Sequence, residues 1–413
     1  MNGTNADPAI AGTAHPADPA DPGSPVGAGD LVEQMRALAA EAGIRTVSIL
    51  AWRDLDDPEA GGSEVHVARV AELWAKAGLD ITMRTSHAPG HPQVAWRDGY
   101  RVIRKAGRYL VFPRAAFSEM KRWHGNRDAL VEIWNGVPWF SPVWCRGPKV
   151  VWLHHVHDTM WEMSLPPRLA SLGRTLEFKI APPFYRWTDV ITLSQSSKRE
   201  LEEKLGLRPH RLHVVPVGID DIYSPGGPKS ADPHVVAVGR LVPVKRFHGL
   251  VDALVAAKPR VPALRATLVG DGYERDALEA QIAAAGATDW ITLAGRVSEE
   301  EKIRLYREAW VVASASAHEG WGMTLTEAAA CGTPAVASRI AGHQDAVAEG
   351  RSGLLADDDV GLGEALVRLL NDRDLLDRMT KGALEHAQQF TWPATAYSTL
   401  AVLAADARRR RGW

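Results

Sequence analysis

The sequence predicts two tandem doubly wound, Rossmann-like α/β domains facing a central cleft. Three observations carry this expectation. Short β-branched runs alternate with amphipathic stretches along most of the 413 residues, as a parallel sheet covered by helices on both faces requires. The rhythm breaks once, in the Pro-, Gly- and Asp-rich segment 216–233, which reads as an interdomain linker. Hydrophobic (46%) and charged (24%) content is that of an ordinary globular chain, long enough for two or three domains.

Taken in order, residues 1–30 hold five Pro, five Gly, seven Ala and four Asp with no Lys or Arg, which predicts a disordered acidic tail and not a signal peptide. An amino-terminal domain over 31–216 follows, with strands expected at 46–50, 79–83, 131–134, 150–154, 190–193 and 213–215. Between the first two, Val67, Val70, Ala71 and Trp74 recur at helical spacing, and 196–205 is a further helix. A carboxyl-terminal domain over 217–391 has strands expected at 234–238, 266–269, 290–293, 310–313 and 335–337. Ser298 and Glu301 form the capping box of one of its helices. FTWP at 390–393 opens a last helix, 392–413, with Tyr397, Leu400, Ala401 and Ala404 on one face. The uncharged run 386–405 is as long as a membrane span, but its Gln, Thr, Ser and Pro residues make it a soluble segment.

Forty-eight Lys and Arg against fifty Asp and Glu leave a net charge of −2, without the basic excess that a nucleic-acid partner needs. Cys145 and Cys331 are too few for a disulfide framework or a multi-cysteine metal site, and a reducing cytoplasm is the expected location. No cofactor is indicated.

In facing doubly wound sheets, ligands bind at the carboxyl ends of strands, so the motifs are expected there. GRLVPVK (239–245) follows an apolar strand and places Arg240 and Lys245 where they could clamp a diphosphate, although a solvated basic loop is the favoured reading of this heptad taken alone. VGDG (269–272) and LAGRV (293–297) end the next two strands; the first permits close backbone approach, and the main chain at Val297 lies where a planar base could be read. Taken alone, VGDG is a weak signal, and a structural turn is the better single reading of LAGRV. HEGWGMTLTEAAACGTP (318–334) joins a strand to a helix through two glycines and sets Glu319 and Glu327 eight residues apart. Unpaired N–H groups around Gly322, Met323, Thr324 and Leu325 form an anion site at a helix N-terminus, and flanking carboxylates can accept hydrogen bonds from sugar hydroxyls.

This stretch resembles the E-x7-E signature of the retaining nucleotide-sugar glycosyltransferases of family 4, which have the twin-domain glycosyltransferase-B fold. The resemblance extends over nearly the whole chain after the tail, through GGSE (61–64), Arg240 with Lys245, VGDG, AGRV, EGWGMTLTE, CGTP and RSGLL (351–355). It implies that Arg240 and Lys245 bind the donor diphosphate, Glu319 the transferred sugar and Glu327 the ribose. Gly62 would approach the diphosphate from the other domain, and Met323 to Leu325 would offer backbone N–H groups. It further implies a donor-binding carboxyl-terminal domain, an acceptor-binding amino-terminal domain and a last helix that crosses back onto the latter. Two departures stand out: Arg246 replaces the usual Gly after the lysine, and Asp345 stands where Glu is commoner.

In the amino-terminal half, VVWLHHVHD (150–158) delivers His154, His155 and His157 to a strand end. The family commonly has a histidine here, and His154 matches it best. A hydrogen-bonded loop histidine and a zinc site are the alternatives, the latter weakened because strand alternation points His154 away from the other two. Asp54 and Asp56 form a D-x-D that could hold a divalent ion, but with two cations already at the diphosphate a solvated turn is expected. Trp134 and Trp152 read as core, and Trp139, Trp144 and Trp161 as acceptor platforms. Residues 101–124 carry seven Arg or Lys against Glu119 alone, mixed with Tyr109, Phe112, Phe117 and Trp123. That segment suits anionic lipid head groups or an anionic acceptor as well as it suits a plain solvated helix.

The expected activity is therefore metal-independent transfer of a hexosyl group from a UDP- or GDP-sugar to an acceptor hydroxyl with retention, in glycan or glycolipid synthesis, with peripheral membrane contact an open expectation. A nucleotide-sugar epimerase of the same fold and a nucleotide-sugar binding protein are the alternatives.

Overall fold

The structure, a computed structural model, describes residues 28–158, 160–164 and 166–412. Most of the expected acidic tail lies outside these residues, and its last three residues begin helix α1.

The chain builds two sheets. The first contains β1 (Thr46–Leu50), β2 (Asp80–Thr85), β3 (Val94–Arg97), β4 (Tyr100–Arg104), β5 (Ala129–Ile133), β6 (Lys149–Trp152), β7 (Val190–Thr192) and β8 (Leu212–Val214) in the order β3-β4-β2-β1-β5-β6-β7-β8, parallel except for β3. The second, all parallel, contains β9 (His234–Val238), β10 (Arg265–Val269), β11 (Ile291–Gly295), β12 (Val311–Ser314), β13 (Ala335–Ser338) and β14 (Gly353–Ala356) in the order β11-β10-β9-β12-β13-β14. Helices of the first half are α1 (Ala28–Glu41), α2 (Gly62–Lys76), α3 (Val111–Met120), α4 (Ser141–Trp144), α5 (Met160–Ser164), α6 (Pro167–Thr175), α7 (Pro182–Tyr185) and α8 (Gln195–Leu205), with a π-helical turn at Leu176–Ile180. Those of the second are α9 (Phe247–Ala257), α10 (Arg275–Ala284), α11 (Glu299–Glu308), α12 (Met323–Ala330), α13 (His343–Ala346), α14 (Asp359–Asn371), α15 (Arg373–Ala387) and α16 (Trp392–Arg411).

Both faces of the first sheet are covered. Strand order reverses at β1, so right-handed crossovers place helices on opposite sides. On one side α1, α2 and α16 bury Met35, Trp74 and Leu400 against β1 and β2. On the other, residues from α3, α4, α7 and α8 pack in the clusters around Leu50 with Trp139 and around Trp134 with Tyr185. The helix after FTWP crosses back onto the first sheet: Ala396, Leu400, Leu403 and Ala407 are buried there, and the Trp74 indole donates to the Ala396 carbonyl at 3.0 Å.

Several expectations need correction. Strand ends shift by one or two residues, and β6 stops at Trp152 instead of reaching His154. The β3–β4 hairpin and β14 were not expected. Asp54 and Asp56 are not a solvated turn: both pair with the buried Arg104 guanidinium, and Asp56 also pairs with Arg97. Arg104 therefore leaves the basic surface of 101–124, as does Arg101, which reaches Thr82 and the His124 carbonyl. Trp139 and Trp161 are core, not open platforms, at 3% and 8% exposure. The Trp161 indole donates to Glu177 at 2.8 Å and lies so close over Gly173 that a Cβ there would meet the ring at 2.6 Å.

Candidate active site

Loops at the carboxyl ends of β9, β10 and β11 are sewn together by their backbones. Gly239 N–H donates to Val269, Gly270 N–H to Gly295 and Leu241 N–H to Asp271, at 2.8 to 3.0 Å. Gly270 has φ +138° and a Cβ there would lie 1.8 Å from the Gly239 carbonyl oxygen, so VGDG is glycine-rich because two loops touch.

That stitched platform presents GRLVPVK. Lys245 ends a short turn and its ammonium pairs with Glu319, which also accepts from Ser316 Oγ at 2.9 Å. Burial alone would raise the Glu319 carboxyl, but Lys245, His343 and these hydrogen bonds outweigh it and hold it down at about 2. Arg240, on the same loop as Lys245, is exposed and makes no ion pair with the described residues. Arg246 takes the left-handed conformation, φ +48°, where glycine is the usual solution, and its guanidinium is anchored on Asp359 at 2.7 Å.

Two helix N-termini meet at the cleft. Gly62 is the first residue of α2 and Met323 the first of α12; a Cβ on Gly62 would stand 2.9 Å from Met323 Sδ. Each terminus carries the positive end of its helix dipole and unpaired N–H groups. Leu325 N–H turns back to the Gly322 carbonyl, whereas Met323 and Thr324 N–H have no backbone acceptor among the described residues. In GGSE, Glu64 serves the local fold: it accepts from Gly61 N–H at 2.8 Å and pairs with Arg53.

Glu327 lies farther along α12, facing an interdomain cavity of about 350 Å³ that Leu55, Arg69, Tyr223 and Lys302 also line. Burial raises its carboxyl; the Lys302 ammonium at 3.4 Å and the Tyr306 hydroxyl at 3.1 Å counter this. Val297 is half-buried beside that cluster.

The histidines divide. His154 is 8% exposed, its Nε2 is 3.2 Å from Nδ1 of the buried His66, and the His66 ring stacks on Trp152 at 4.6 Å. Burial lowers both imidazoles, His66 to about 3, so the pair is neutral. The main chain of His154 touches the opposite domain: a Cβ on Gly320 would lie 3.0 Å from its carbonyl oxygen. His155 and His157 stack on each other at 4.9 Å. His155, lowered to about 3 by burial and then by His157, also lies in the field of Glu319 and Lys245. His157 is instead tied to its own domain, with its N–H donating to Glu177 at 3.0 Å. Among the described residues no group of three or more His, Cys, Asp or Glu is placed to hold a metal ion.

The structure thus brings Lys245, Glu319, Gly62 and the α12 N-terminus together at the cleft, leaves Arg240 exposed on the Lys245 loop, sets Glu327 farther along α12, and points the ring of His154 toward His66. It adds residues that the sequence did not announce. Lys302 and Tyr306 hold Glu327, and His66 holds His154; each partner lies 21 to 88 residues away along the chain. Asp345 accepts from Gln195 and Ser196 N–H across the domain boundary, at 2.8 and 3.1 Å.

Residues 60–223 match the family model described as Glycosyltransferase Family 4, and 220–386 the one described as Glycosyl transferases group 1. The D-inositol 3-phosphate glycosyltransferase of Corynebacterium urealyticum is 30% identical over 391 residues, 82% of this chain and 89% of that protein. The enzyme of the same name from Acidothermus cellulolyticus is 32% identical over 89% of this chain and 92% of its own. Among solved structures, sucrose-phosphate synthase from Thermosynechococcus elongatus superposes with a TM-score of 0.74 at 22% identity, covering 85% of this chain and 96% of that one. Anabaena HepE in complex with UDP-glucose does so with 0.67 at 20% identity, over 86% and 98%. These structures share the twin-domain glycosyltransferase-B architecture. With both family models laid across the cleft and relatives of this identity spanning most of its length, the chain belongs to the family 4 glycosyltransferases.

Proposed function

We propose that the protein transfers a hexosyl group from a nucleotide diphosphate sugar to an acceptor hydroxyl, with retention and without a metal ion. One observation carries this reading: Lys245 pairs with Glu319 on the loop that leads into α12, and the N-termini of α2 and α12 abut, with Arg240 exposed on the loop that Lys245 ends. Such a site suits a diphosphate, because two cations and two sets of backbone N–H groups can neutralise charge that grows on it as it leaves.

In this account Arg240 and Lys245 bind the donor diphosphate, Glu319 the hydroxyls of the transferred hexose, Glu327 the ribose, and the main chain at Val297 the base. Met323 and Thr324 offer their N–H groups to the phosphates, Leu325, expected to do the same, has its N–H given to the Gly322 carbonyl and only closes the turn behind them, and Gly62 leaves them room. The bond from the anomeric carbon to the phosphate oxygen breaks as the acceptor oxygen attacks from the same face, and the acceptor proton passes to the departing diphosphate. Glu319, paired and strongly acidic, is a poor covalent nucleophile, so the protein contributes position and charge. His154, two residues beyond the end of β6, sets its loop against Gly320 and offers its carbonyl toward the developing positive charge; His155 supplies a neutral imidazole beside it.

The domain roles follow: 217–391 holds the donor, and 31–216 with the last helix, 392–413, holds the acceptor. Because relatives are named for D-inositol 3-phosphate, a phosphorylated cyclitol is the first acceptor to offer. Peripheral contact of the amino-terminal domain with a membrane at the cytoplasmic face belongs to the same reading; among the described residues no helix is long and apolar enough to cross one.

The test is product analysis by NMR after incubation with a panel of UDP- and GDP-sugars, with and without cyclitol phosphates. A glycoside with the donor's anomeric configuration is the expected result. An inverted product overturns retention, and a new nucleotide sugar without acceptor indicates an epimerase.

A further inference from the structure

We infer that the outer face formed by α3, α4 and α7 docks the protein on an anionic lipid bilayer. This specifies the surface and partner of the peripheral contact proposed above and rests on that reading. Its test reads lipid binding and not transfer, so either can fail alone.

The argument starts from the distribution of apolar surface. Of seventeen exposed large hydrophobic residues among those described, eleven fall between 109 and 187. Nine of these eleven lie on or within three residues of α3, α4, α7 or the π-helical turn before α7; Leu169 and Leu172 lie on α6. The crossovers that put α3, α4 and α7 on the same side of the first sheet also bring them into one layer: α4 touches both of the others. Phe112 of α3 packs on Trp139 with ring centres 4.5 Å apart, and Phe140, just before α4, meets Phe184 of α7 edge-on at 5.6 Å. The inward side of the layer is core, while Phe117, Met120, Val143, Ile180 and Phe184 on its outward side are 44 to 62% exposed. An apolar face this broad on a soluble domain marks an interaction surface.

Charge selects the partner. Arg114, Lys121, Lys179 and Arg186 are exposed on or beside the same helices, and none of the four pairs with a carboxylate among the described residues. The acidic groups on these helices and beneath them face inward: Glu119 is spent on Arg84 and Arg127, Glu132 on Tyr185 and backbone N–H groups, and Glu177 on His157 and Trp161, while Glu162, exposed near Lys179, is paired with Arg174. Apolar side chains interleaved with unpaired cations fit the boundary between acyl chains and anionic head groups. A second copy of the chain fits badly, because a two-fold contact through this face would bring its cations against their own images.

The layer also runs to the mouth of the cleft. Tyr109 and Leu110, exposed just ahead of α3, follow the Arg108 carbonyl, which accepts from Trp52 Nε1 at the carboxyl end of β1. A protein lying on this face would keep its cleft at the membrane surface.

Co-sedimentation of the full chain with vesicles of equimolar phosphatidylglycerol and phosphatidylcholine, against phosphatidylcholine alone, tests the inference. Binding is expected only to the anionic vesicles, weakening as salt rises. Arg114→Glu with Lys121→Glu, Lys179→Glu with Arg186→Glu, and Phe117→Ser with Phe184→Ser should each lower the partition coefficient about tenfold or more. The control Arg265→Glu on the other domain should leave it unchanged. Retained affinity for nucleoside diphosphate shows that each variant is folded. Equal binding to both vesicles, no binding to anionic ones, or a loss as large in the control overturns the assignment. So does a dimer, seen by sedimentation, that the same variants dissociate.

Discussion

Asp345, in the second half of the chain, caps a helix of the first: its carboxylate accepts from Ser196 N–H and hydroxyl and from Gln195 N–H at the start of α8. Ser196 Oγ in turn accepts from Gly342 N–H at 2.9 Å, and Gly342 is pressed against the Glu319 carbonyl. Domain closure and the position of the Glu319 loop are thus one set of hydrogen bonds. Asp345→Ala should reduce turnover about tenfold by loosening closure, because charged hydrogen bonds of this kind contribute about 1.5–3 kcal/mol each. Nucleoside diphosphate affinity, measured by calorimetry, should change by less than about threefold. Loss of affinity equal to the loss of turnover would mean that Asp345 serves the donor site and not closure.

The three histidines give separable outcomes. His155→Ala should cut turnover about a hundredfold with little change in diphosphate affinity, as expected for a group whose contact strengthens in the transition state. His154→Ala should cost turnover and stability together, because it strands the His66 ring. His157→Ala, in which Glu177 keeps its Trp161 partner, should act mainly on folding. Kinetics and urea unfolding of the three variants check this; a fully active His155→Ala enzyme refutes its role.

The imidazoles of His66, buried, and His155, half-buried at the cleft, also make stability depend on pH. His66 and His155 are held near 3 when folded, well below the ordinary 6.5 of the unfolded chain. Between those values the unfolded state binds more protons, so stability rises with pH through the window and is lost as pH falls below 6.5. Each histidine should contribute a slope of about 1.4 kcal/mol per pH unit there. Urea unfolding from pH 7 to pH 4 should show a steep decline, shallower in His155→Asn. A flat profile would mean that these rings are solvated.

Trp161 tests the correction from platform to core. Trp161→Ala should destabilise by about 3–5 kcal/mol, as for other large-to-small core changes. Gly173→Ala, which drives a methyl into the indole, should cost about 1–3 kcal/mol by overpacking. An acceptor platform would instead show a raised acceptor KM at unchanged stability.

How far the sequence could be read follows from what each element buries. Parallel strands covered on both faces are rich in apolar and β-branched residues, so the bounds expected for 46–50 and 234–238 are those observed. The edge strand Val94–Arg97 alternates exposed and half-buried and carries no such run. Gly353, which opens β14, looks like a turn but is a close approach: a Cβ would meet the Ala335 carbonyl oxygen at 2.3 Å. In the site, the convergence of Lys245 with Glu319 came from family resemblance and not from spacing, since 74 residues separate them. Strand alternation separated His154 from His155 and His157, but the strand ends at Trp152, and alternation could not say which side faces Glu319. The D-x-D was misjudged because its partner, Arg104, lies in a strand that was not recognised.

The most direct test of the central claim, a diphosphate held by Arg240 and Lys245 without metal, is calorimetric titration of UDP and GDP in excess EDTA. The chain should bind one of the two at a single site under chelation. Arg240→Ala and Lys245→Ala should each weaken that binding at least about tenfold and cost about 2–4 kcal/mol of transition-state stabilisation in turnover. Binding that vanishes in EDTA and returns with magnesium or manganese, or two variants that bind as the unmodified protein does, would contradict it.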